Sequence, residues 1–183
     1  MNINTTNVMA TPKKTIYIDM DNVLADFSSA FEILDDQTKQ QYAGHLDDVP
    51  GIYNIMKPVP GAIDTFNQLA DQYDVYILST APWDNPSAWA DKLQWVKRNL
   101  GSKAYKRLIL THRKDLNKGD ILIDDREVNG ASEFKGELIL FGSKKFKDWS
   151  KIREHLLRNV SAGNCHIDQH HTGRGVHAHS HSR

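Results

Sequence analysis

Short apolar runs alternate along this chain with longer stretches in which apolar residues recur every three or four positions. The short runs are rich in β-branched and aromatic residues, as buried strands are, and they lie near residues 15–19, 75–78, 108–110, 121–123 and 138–141. The longer stretches have the periodicity of amphipathic helices and cover about 23–35, 60–70, 86–100 and 148–160. This alternation predicts an α/β fold, with a Rossmann-like parallel sheet and helices on both faces.

Apolar stripes assign a buried face to two of these helices. The helix over 23–35 has apolar residues at i, i+3, i+7 and i+10, namely Leu24, Phe27, Phe31 and Leu34. The helix that follows the Asp84-Asn85-Pro86 start signal has a comparable stripe of Trp89, Leu93, Val96 and Leu100. We expect both stripes to pack against the sheet.

Residues 35–58 break the alternation of strands and helices. Acidic pairs and prolines are interleaved there with single apolar residues, so the segment does not predict another strand–helix unit. We expect a small cap insertion after the first strand–helix unit. It either covers the acidic residues that precede it or packs a few apolar side chains on the core as an ordinary surface excursion.

The two ends of the chain differ from the predicted domain at 14–160. Residues 1–13 are polar and aperiodic, which predicts a flexible N-terminus. Residues 161–183 are polar, contain six of the nine histidines and predict a disordered tail. Imidazoles suit Zn, Ni and Cu, so the tail has two readings: weak adventitious metal affinity or a metal reservoir.

Composition narrows the class of protein. The chain has 183 residues, which suits one domain, and its 23 basic and 23 acidic residues give no overall charge for a nucleic acid polymer or an anionic membrane. No apolar run approaches the roughly 20 residues of a membrane helix. Cys165 is the single cysteine and has no internal disulfide partner, which favours a cytoplasmic location.

Polar residues with related chemistry follow four of the predicted strands. Asp19 and Asp21 follow the first strand, Ser79-Thr80 the second, Lys114 the third and Asp124-Asp125 the fourth. Because the carboxyl ends of parallel strands meet at one edge of a sheet, these side chains are expected to converge.

Such a set matches the requirements of phosphoryl transfer. One carboxylate attacks phosphorus, a hard metal ion bridges carboxylates and phosphate oxygens, and a hydroxyl and a lysine neutralise the equatorial oxygens. Taken singly, each group is also typical of a solvated turn. Their occurrence at four successive strand ends, in this order, favours a catalytic site.

The order of these residues resembles the haloacid dehalogenase (HAD) superfamily of phosphatases and, within it, the 5'(3')-deoxyribonucleotidase family. The resemblance extends over about residues 14–160. It rests on Asp19-Met20-Asp21-Asn22-Val23-Leu24-Ala25-Asp26-Phe27, Pro58-Val59-Pro60-Gly61-Ala62, Ser79-Thr80-Ala81-Pro82-Trp83, Leu110-Thr111-His112-Arg113-Lys114-Asp115 and Leu122-Ile123-Asp124-Asp125-Arg126.

This resemblance implies catalytic and metal-binding roles. Asp19 would be the nucleophile that forms an aspartyl-phosphate, and Asp21 the acid that protonates the leaving oxygen and then activates water. Mg²⁺ would be held by Asp19, the backbone carbonyl of Asp21 and Asp125. Asp124 would support that shell and Lys114.

The resemblance also implies a substrate. Thr80 and Lys114 would bind the phosphate of a small nucleoside monophosphate, and Phe27 would line the nucleoside pocket together with cap residues such as Tyr53. The chain departs from the family in having Asn22 where a glycine is usual, a short cap and the histidine-rich tail. Asn tolerates a left-handed backbone, so the turn at Asn22 is expected to be retained.

Two other functions remain open at this point. One is a HAD-type phosphatase that acts on another small phosphoester, such as a sugar phosphate. The other is a receiver-like signalling domain, which also combines acids, a hydroxyl and a lysine on a five-stranded α/β sheet. Receiver domains carry their phosphoacceptor at the end of a middle strand, whereas the middle strand here ends on Ser79-Thr80.

Overall fold

The computed structural model describes residues 12–163, with side chains described to residue 158. The predicted N-terminal segment and histidine-rich tail therefore lie almost wholly outside the described residues. The strands, numbered in chain order, are β1 Thr15–Ile18, β2 Ala25–Asp26, β3 Lys57–Pro58, β4 Asp74–Ser79, β5 Leu108–Leu110, β6 Ile121–Asp124 and β7 Glu137–Leu140. The α-helices are α1 Ser28–Phe31, α2 Asp36–Gln41, α3 Ala62–Gln72, α4 Ser87–Leu100 and α5 Trp149–Gly163. Short 3₁₀ helices span Leu46–Asp48, Ile52–Asn54, Gly101–Ala104 and Lys114–Leu116.

The five longer strands form one parallel sheet in the order β5-β4-β1-β6-β7, which confirms the predicted α/β fold. Counting these five strands along the chain, the order is 3-2-1-4-5. Receiver domains have the order 2-1-3-4-5, so the sheet does not have the receiver topology. The strand order reverses between β1 and β6, and ligands of such sheets bind in the crevice at this switch point.

The sheet buries side chains on both faces. Because successive strand residues point to opposite faces, Ile16 and Ile18 join the larger core, which the long helices α3, α4 and α5 also enter. Tyr17 belongs to a smaller cluster with Leu78 and Leu122, and the loop between β6 and β7 covers this cluster with Ala131 and Phe134. Among the described residues, no helix combines the length and apolar character needed to cross a membrane.

The predicted helix over residues 23–35 is wrong, because only Ser28–Phe31 of this range is helical. Ala25–Asp26 pairs antiparallel with Lys57–Pro58, and the backbone N–H groups of both Leu24 and Ala25 donate to the Met20 carbonyl. A helix therefore cannot begin before Ser28, and α1 has only four residues. The apolar stripe did predict burial, because Leu24 is in the core and Phe27, Phe31 and Leu34 pack against it.

The predicted buried stripe of α4 is partly wrong. Trp89 and Leu93 are 41% and 43% exposed, while Lys92 and Trp95 are fully buried. The helix is held in this rotation by polar contacts, because Trp95 Nε1 donates to the Met56 carbonyl at 2.8 Å and Lys92 is paired with an acid described below. Val96 and Leu100 are buried as expected.

Gly136 provides a test of the packing at the start of β7. A Cβ atom there would overlap the backbone of Gly119 and Asp120, the two residues that precede β6. The Asp120 carbonyl also accepts the hydrogen bond of Glu137 N. We expect Gly136→Ala to lower the free energy of unfolding by about 1–3 kcal/mol, as overpacking usually does. Chemical denaturation measures the change. Lys135→Ala, at the exposed neighbouring position, is the control, and equal effects of the two substitutions would contradict this account.

Candidate active site

Three carboxylates crowd together at the carboxyl ends of β1 and β6. Asp19 follows β1, and its backbone N–H donates to Ile123 O at 2.8 Å, which sets it beside the end of β6. One oxygen atom from each of Asp19, Asp124 and Asp125 lies within 4.8 Å of the others. The strand pairing therefore brings together three of the four acids that the sequence predicted to converge, without Asp21.

Burial and mutual repulsion make these carboxylates hard to ionise together. Burial raises the pKa of Asp124 to about 6, and the negative charge of Asp19 contributes to this rise against the opposing effect of Lys114. Burial and Asp19 also raise the pKa of Asp125. A cation placed among the three groups would relieve the repulsion.

The donor set fits a hard divalent cation. Asp125 Oδ1 is buried and accepts no hydrogen bond among the described residues, and Arg126 Nε lies 3.7 Å from it, beyond hydrogen-bond distance. Mg²⁺ binds oxygen ligands, and an all-carboxylate cluster offers only oxygen. Residues Asp19, Asp124 and Asp125 are thus the groups that are able to hold such an ion.

Lys114 supplies a buried positive charge to the cluster. Its Nζ lies 3.0 Å from Asp19 Oδ1 and 2.5 Å from Asp124 Oδ2, and the side chain is almost fully buried. Burial alone would lower the pKa of Lys114, but the two carboxylates outweigh burial and raise it. Lys114 therefore stays protonated beside the acids, in the position that the sequence indicated.

Asp21 has a separate partner that the sequence analysis missed. Lys92 of α4 places its Nζ 2.6 Å from both carboxylate oxygens of Asp21 and 3.1 Å from Ser79 Oγ. The same ammonium lies over the ring of Tyr53, 4.4 Å from its centroid. Burial and the charge of Asp19 raise the pKa of Asp21, whereas Lys92 acts in the opposite direction.

The sequence did contain a signal for Lys92. The spacing i, i+4, i+7 puts Ala88, Lys92 and Trp95 on one face of a helix, and all three are buried. A lysine between two apolar residues at this spacing either extends its charge to solvent or pairs with an acid. The stripe predicted to be buried included Trp89 and Leu93, which are exposed, and that prediction placed Lys92 on the solvent side of α4.

The turn between Asp19 and Phe27 has the backbone expected of it. Asn22 has φ 58°, which confirms that asparagine adopts the left-handed conformation where the family usually has glycine. Its side chain accepts from Phe27 N at 3.3 Å and donates to Asp125 Oδ2 at 3.4 Å. Asn22 therefore connects the turn to the acid cluster.

A cavity of about 580 Å³ opens beside Asp21. One wall is the stacked pair Phe27 and Tyr53, whose ring centroids lie 5.4 Å apart with an interplanar angle of 24°. The other wall includes Trp83 and His112, in edge-on contact at 5.9 Å. Such a space between aromatic walls suits a planar ring next to a charged centre.

Thr80 borders the same cavity, as predicted, but its hydroxyl already has a partner. Thr80 Oγ1 donates to the Thr111 carbonyl at 2.8 Å, a bond between the ends of β4 and β5. The hydroxyl retains lone pairs as acceptors, and its donor hydrogen becomes available to a ligand only if this bond is exchanged.

Known proteins resemble this chain over most of its length. Residues 29–160 match the family described as 5' nucleotidase, deoxy (pyrimidine), cytosolic type C. A provisionally named 5'(3')-deoxyribonucleotidase of Vibrio phage KVP40 is 56% identical over 146 residues, which cover 80% of this chain and 86% of that protein. A relative of the same provisional name from Bordetella pertussis is 34% identical over 177 residues, covering 81% of this chain and 95% of that protein.

Solved structures with similar folds include HAD hydrolases. YfnB of Bacillus subtilis, a HAD hydrolase by its description and solved with bound magnesium, superposes with a TM-score of 0.54 at 10% identity, over 80% of this chain and 99% of that one. A HAD-superfamily hydrolase from Ehrlichia chaffeensis gives a TM-score of 0.50 at 12% identity, over 82% and 100% of the two chains. At these identities the likeness concerns the fold alone.

The Lys92–Asp21 pair gives a stability prediction. Lys92→Met leaves the Asp21 carboxylate largely buried without its counter-charge, and breaking such a pair from one side is expected to cost about 3–5 kcal/mol. Chemical denaturation of Lys92→Met and of the exposed control Lys97→Met on the same helix measures the difference. The double substitution Lys92→Met, Asp21→Asn should recover part of the loss. Equal, small effects of Lys92→Met and Lys97→Met would contradict the pairing.

Proposed function

This chain belongs to the 5'(3')-deoxyribonucleotidase family of HAD hydrolases, and we propose that it is a Mg²⁺-dependent phosphatase of (deoxy)ribonucleoside monophosphates. Membership of this family makes it a phosphomonoester hydrolase. The observation that carries the proposal is the carboxylate cluster with its buried lysine, joined through the Asn22–Asp125 hydrogen bond to an aromatic-walled cavity that Asn22 and Asp21 border.

In the first chemical step, a carboxylate oxygen of Asp19 attacks phosphorus and the bond between phosphorus and the ester oxygen breaks. The leaving oxygen takes a proton from Asp21, so the nucleoside departs as a neutral alcohol and Asp19 carries the phosphoryl group. Asp21 suits the role of acid because burial and neighbouring negative charge favour its protonated form, whereas Lys92 fixes its orientation.

In the second step, Asp21 accepts a proton from water, and the resulting hydroxide attacks the phosphorus of the aspartyl-phosphate. The bond between phosphorus and Asp19 breaks, which releases orthophosphate and restores both carboxyl groups to their starting states. Thr80 and Lys114 bind the phosphate oxygens, and Lys114 offsets the charge that accumulates there in the transition state.

Mg²⁺ would be held by Asp19, the Asp21 carbonyl and Asp125, and it would neutralise phosphate oxygens so that an anionic carboxylate can approach them. Asp125 Oδ1, which accepts no hydrogen bond among the described residues, supports this assignment. Asp124 belongs to the same cluster but shares its charge with Lys114 at 2.5 Å, so we assign it a supporting role.

The cavity above Asp21 suits a nucleoside better than a small sugar. Its walls present four aromatic or imidazole rings, those of Phe27, Tyr53, Trp83 and His112, and such rings favour stacking with a base. Phe27 and Tyr53 stack on each other and both border the cavity, with the Lys92 ammonium over the Tyr53 ring. We therefore assign Phe27 to nucleoside binding.

A phosphate-release screen with purified protein tests the proposal. Deoxyribonucleoside monophosphates with Mg²⁺ should be hydrolysed with a higher kcat/KM than hexose phosphates, EDTA should abolish the activity, and added Mg²⁺ should restore it. The metal requirement follows from the repulsion among the three carboxylates, of which Lys114 offsets only a part.

Asp19→Asn is the matched control for the screen, because an amide of the same size cannot attack phosphorus. Full turnover in excess chelator would contradict the metal assignment. A higher kcat/KM for hexose phosphates would contradict the substrate assignment while leaving the phosphatase chemistry intact.

A further inference from the structure

The wall of the cavity that comes from the cap segment, residues 35–58, is fastened to the core by one buried side chain. Asn85 lies between β4 and α4, is 1% exposed and does not border the cavity itself. Its Nδ2 donates to the backbone carbonyls of Asp47 at 2.8 Å and Val49 at 3.1 Å. Both hydrogens of one amide are therefore committed to the cap segment.

The rest of the Asn85 side chain is equally constrained. Its Oδ1 accepts from Ser87 N at 3.1 Å, which fixes which end of the amide faces the cap. Ser87 Oγ in turn accepts from Gly51 N at 2.9 Å and lies 2.9 Å from Asp91 Oδ2. The start of α4 thus forms three hydrogen bonds to cap backbone between residues 47 and 51.

These bonds hold the residues that shape the outer part of the cavity. Asp47 and Asp48 line the cavity from the bonded stretch, and His45 and Tyr53 line it from just outside that stretch. The same helix α4 carries Lys92, which forms an ion pair with Asp21. The helix that holds Asp21 through Lys92 therefore also holds the cap wall, through the hydrogen bonds at its N-terminal end.

We propose that Asn85 is a positioning residue for the nucleoside part of the substrate. By holding the cap wall at a fixed distance from Asp21, its carboxamide keeps the cavity shaped for a leaving group that extends from the phosphate to that wall. This inference rests on the proposed function and assigns Asn85 no contact with the reacting atoms. A phosphoester that is too small to reach the cap wall gains nothing from this arrangement.

The conservative substitution Asn85→Asp separates this role from a general effect on folding. Aspartate keeps the volume and the acceptor for Ser87 N but loses the Nδ2 donor, and it sets an anionic oxygen against two carbonyls. The kcat/KM for a deoxyribonucleoside monophosphate should fall by about tenfold or more, chiefly through a higher KM. The kcat/KM for acetyl phosphate, which has no ring to fill the cavity, should be unchanged.

Gln94→Ala is the matched control. Gln94 of α4 accepts a hydrogen bond from Asn54 of the cap segment at 3.2 Å, at an exposed position that does not border the cavity. This variant removes another bond between the same two parts of the protein and should leave the ratio of the two kcat/KM values unchanged. Thermal melts of each variant accompany the kinetics.

Every outcome of these kinetic measurements either supports or contradicts the role proposed for Asn85. A selective loss for the nucleotide in Asn85→Asp and not in Gln94→Ala supports the proposal. Equal losses for both substrates, no loss for either, or the same selectivity change in Gln94→Ala would overturn it. If Asn85→Asp does not fold, Ser87→Ala, which deletes the acceptor of Gly51 N, is held to the same criterion. A wild-type protein inactive on nucleotides would instead refute the proposed function.

Discussion

The repulsion among the carboxylates at the ends of β1 and β6 is the constraint on which the rest of this structure depends. Asp19, Asp124 and Asp125 are brought together by strand pairing, and burial raises the pKa values of the latter two. Lys114, buried between Asp19 and Asp124, offsets part of the repulsion. In the proposed function, the remaining repulsion favours binding of a divalent cation and, through it, of a phosphate group.

A second buried lysine, Lys92, neutralises a carboxylate that borders the cavity. Lys92 holds Asp21, contacts the ring of Tyr53 and belongs to the helix that also anchors the cap segment. Acid, aromatic wall and cap are therefore connected through α4 rather than through the chain that links them in sequence. Such an arrangement fits a preformed wall on the side of the cap segment.

The sequence predicted those parts of the site that follow from strand ends, because a buried strand followed by acids fixes both the position and the environment of those acids. Asp19, Lys114 and Asp124 were placed in this way, and the five-stranded parallel sheet was predicted for the same reason. The turn at Asn22 was predicted from its tolerance of positive φ. Local chemistry was sufficient in each of these cases.

Prediction failed where a distant partner decides the local structure. Ala25–Asp26 is a strand because it pairs with Lys57–Pro58, more than thirty residues along the chain, and a helical stripe cannot reveal that pairing. Lys92 is buried because its ammonium forms an ion pair with the Asp21 carboxylate, although a lysine on a helix is ordinarily solvated. The hydrogen bonds of Asn85 to the cap carbonyls likewise depend on the folded chain.

The covalent role of Asp19 is the central claim, and intact-mass spectrometry of Asp21→Asn tests it most directly. With para-nitrophenyl phosphate and Mg²⁺, the good leaving group needs no acid, so Asp19 is expected to be phosphorylated. Without the Asp21 base the intermediate should persist. The account predicts one added phosphoryl group, lost when Asp19→Asn is combined with Asp21→Asn. An unmodified mass during turnover, or an adduct that survives the double substitution, would contradict it.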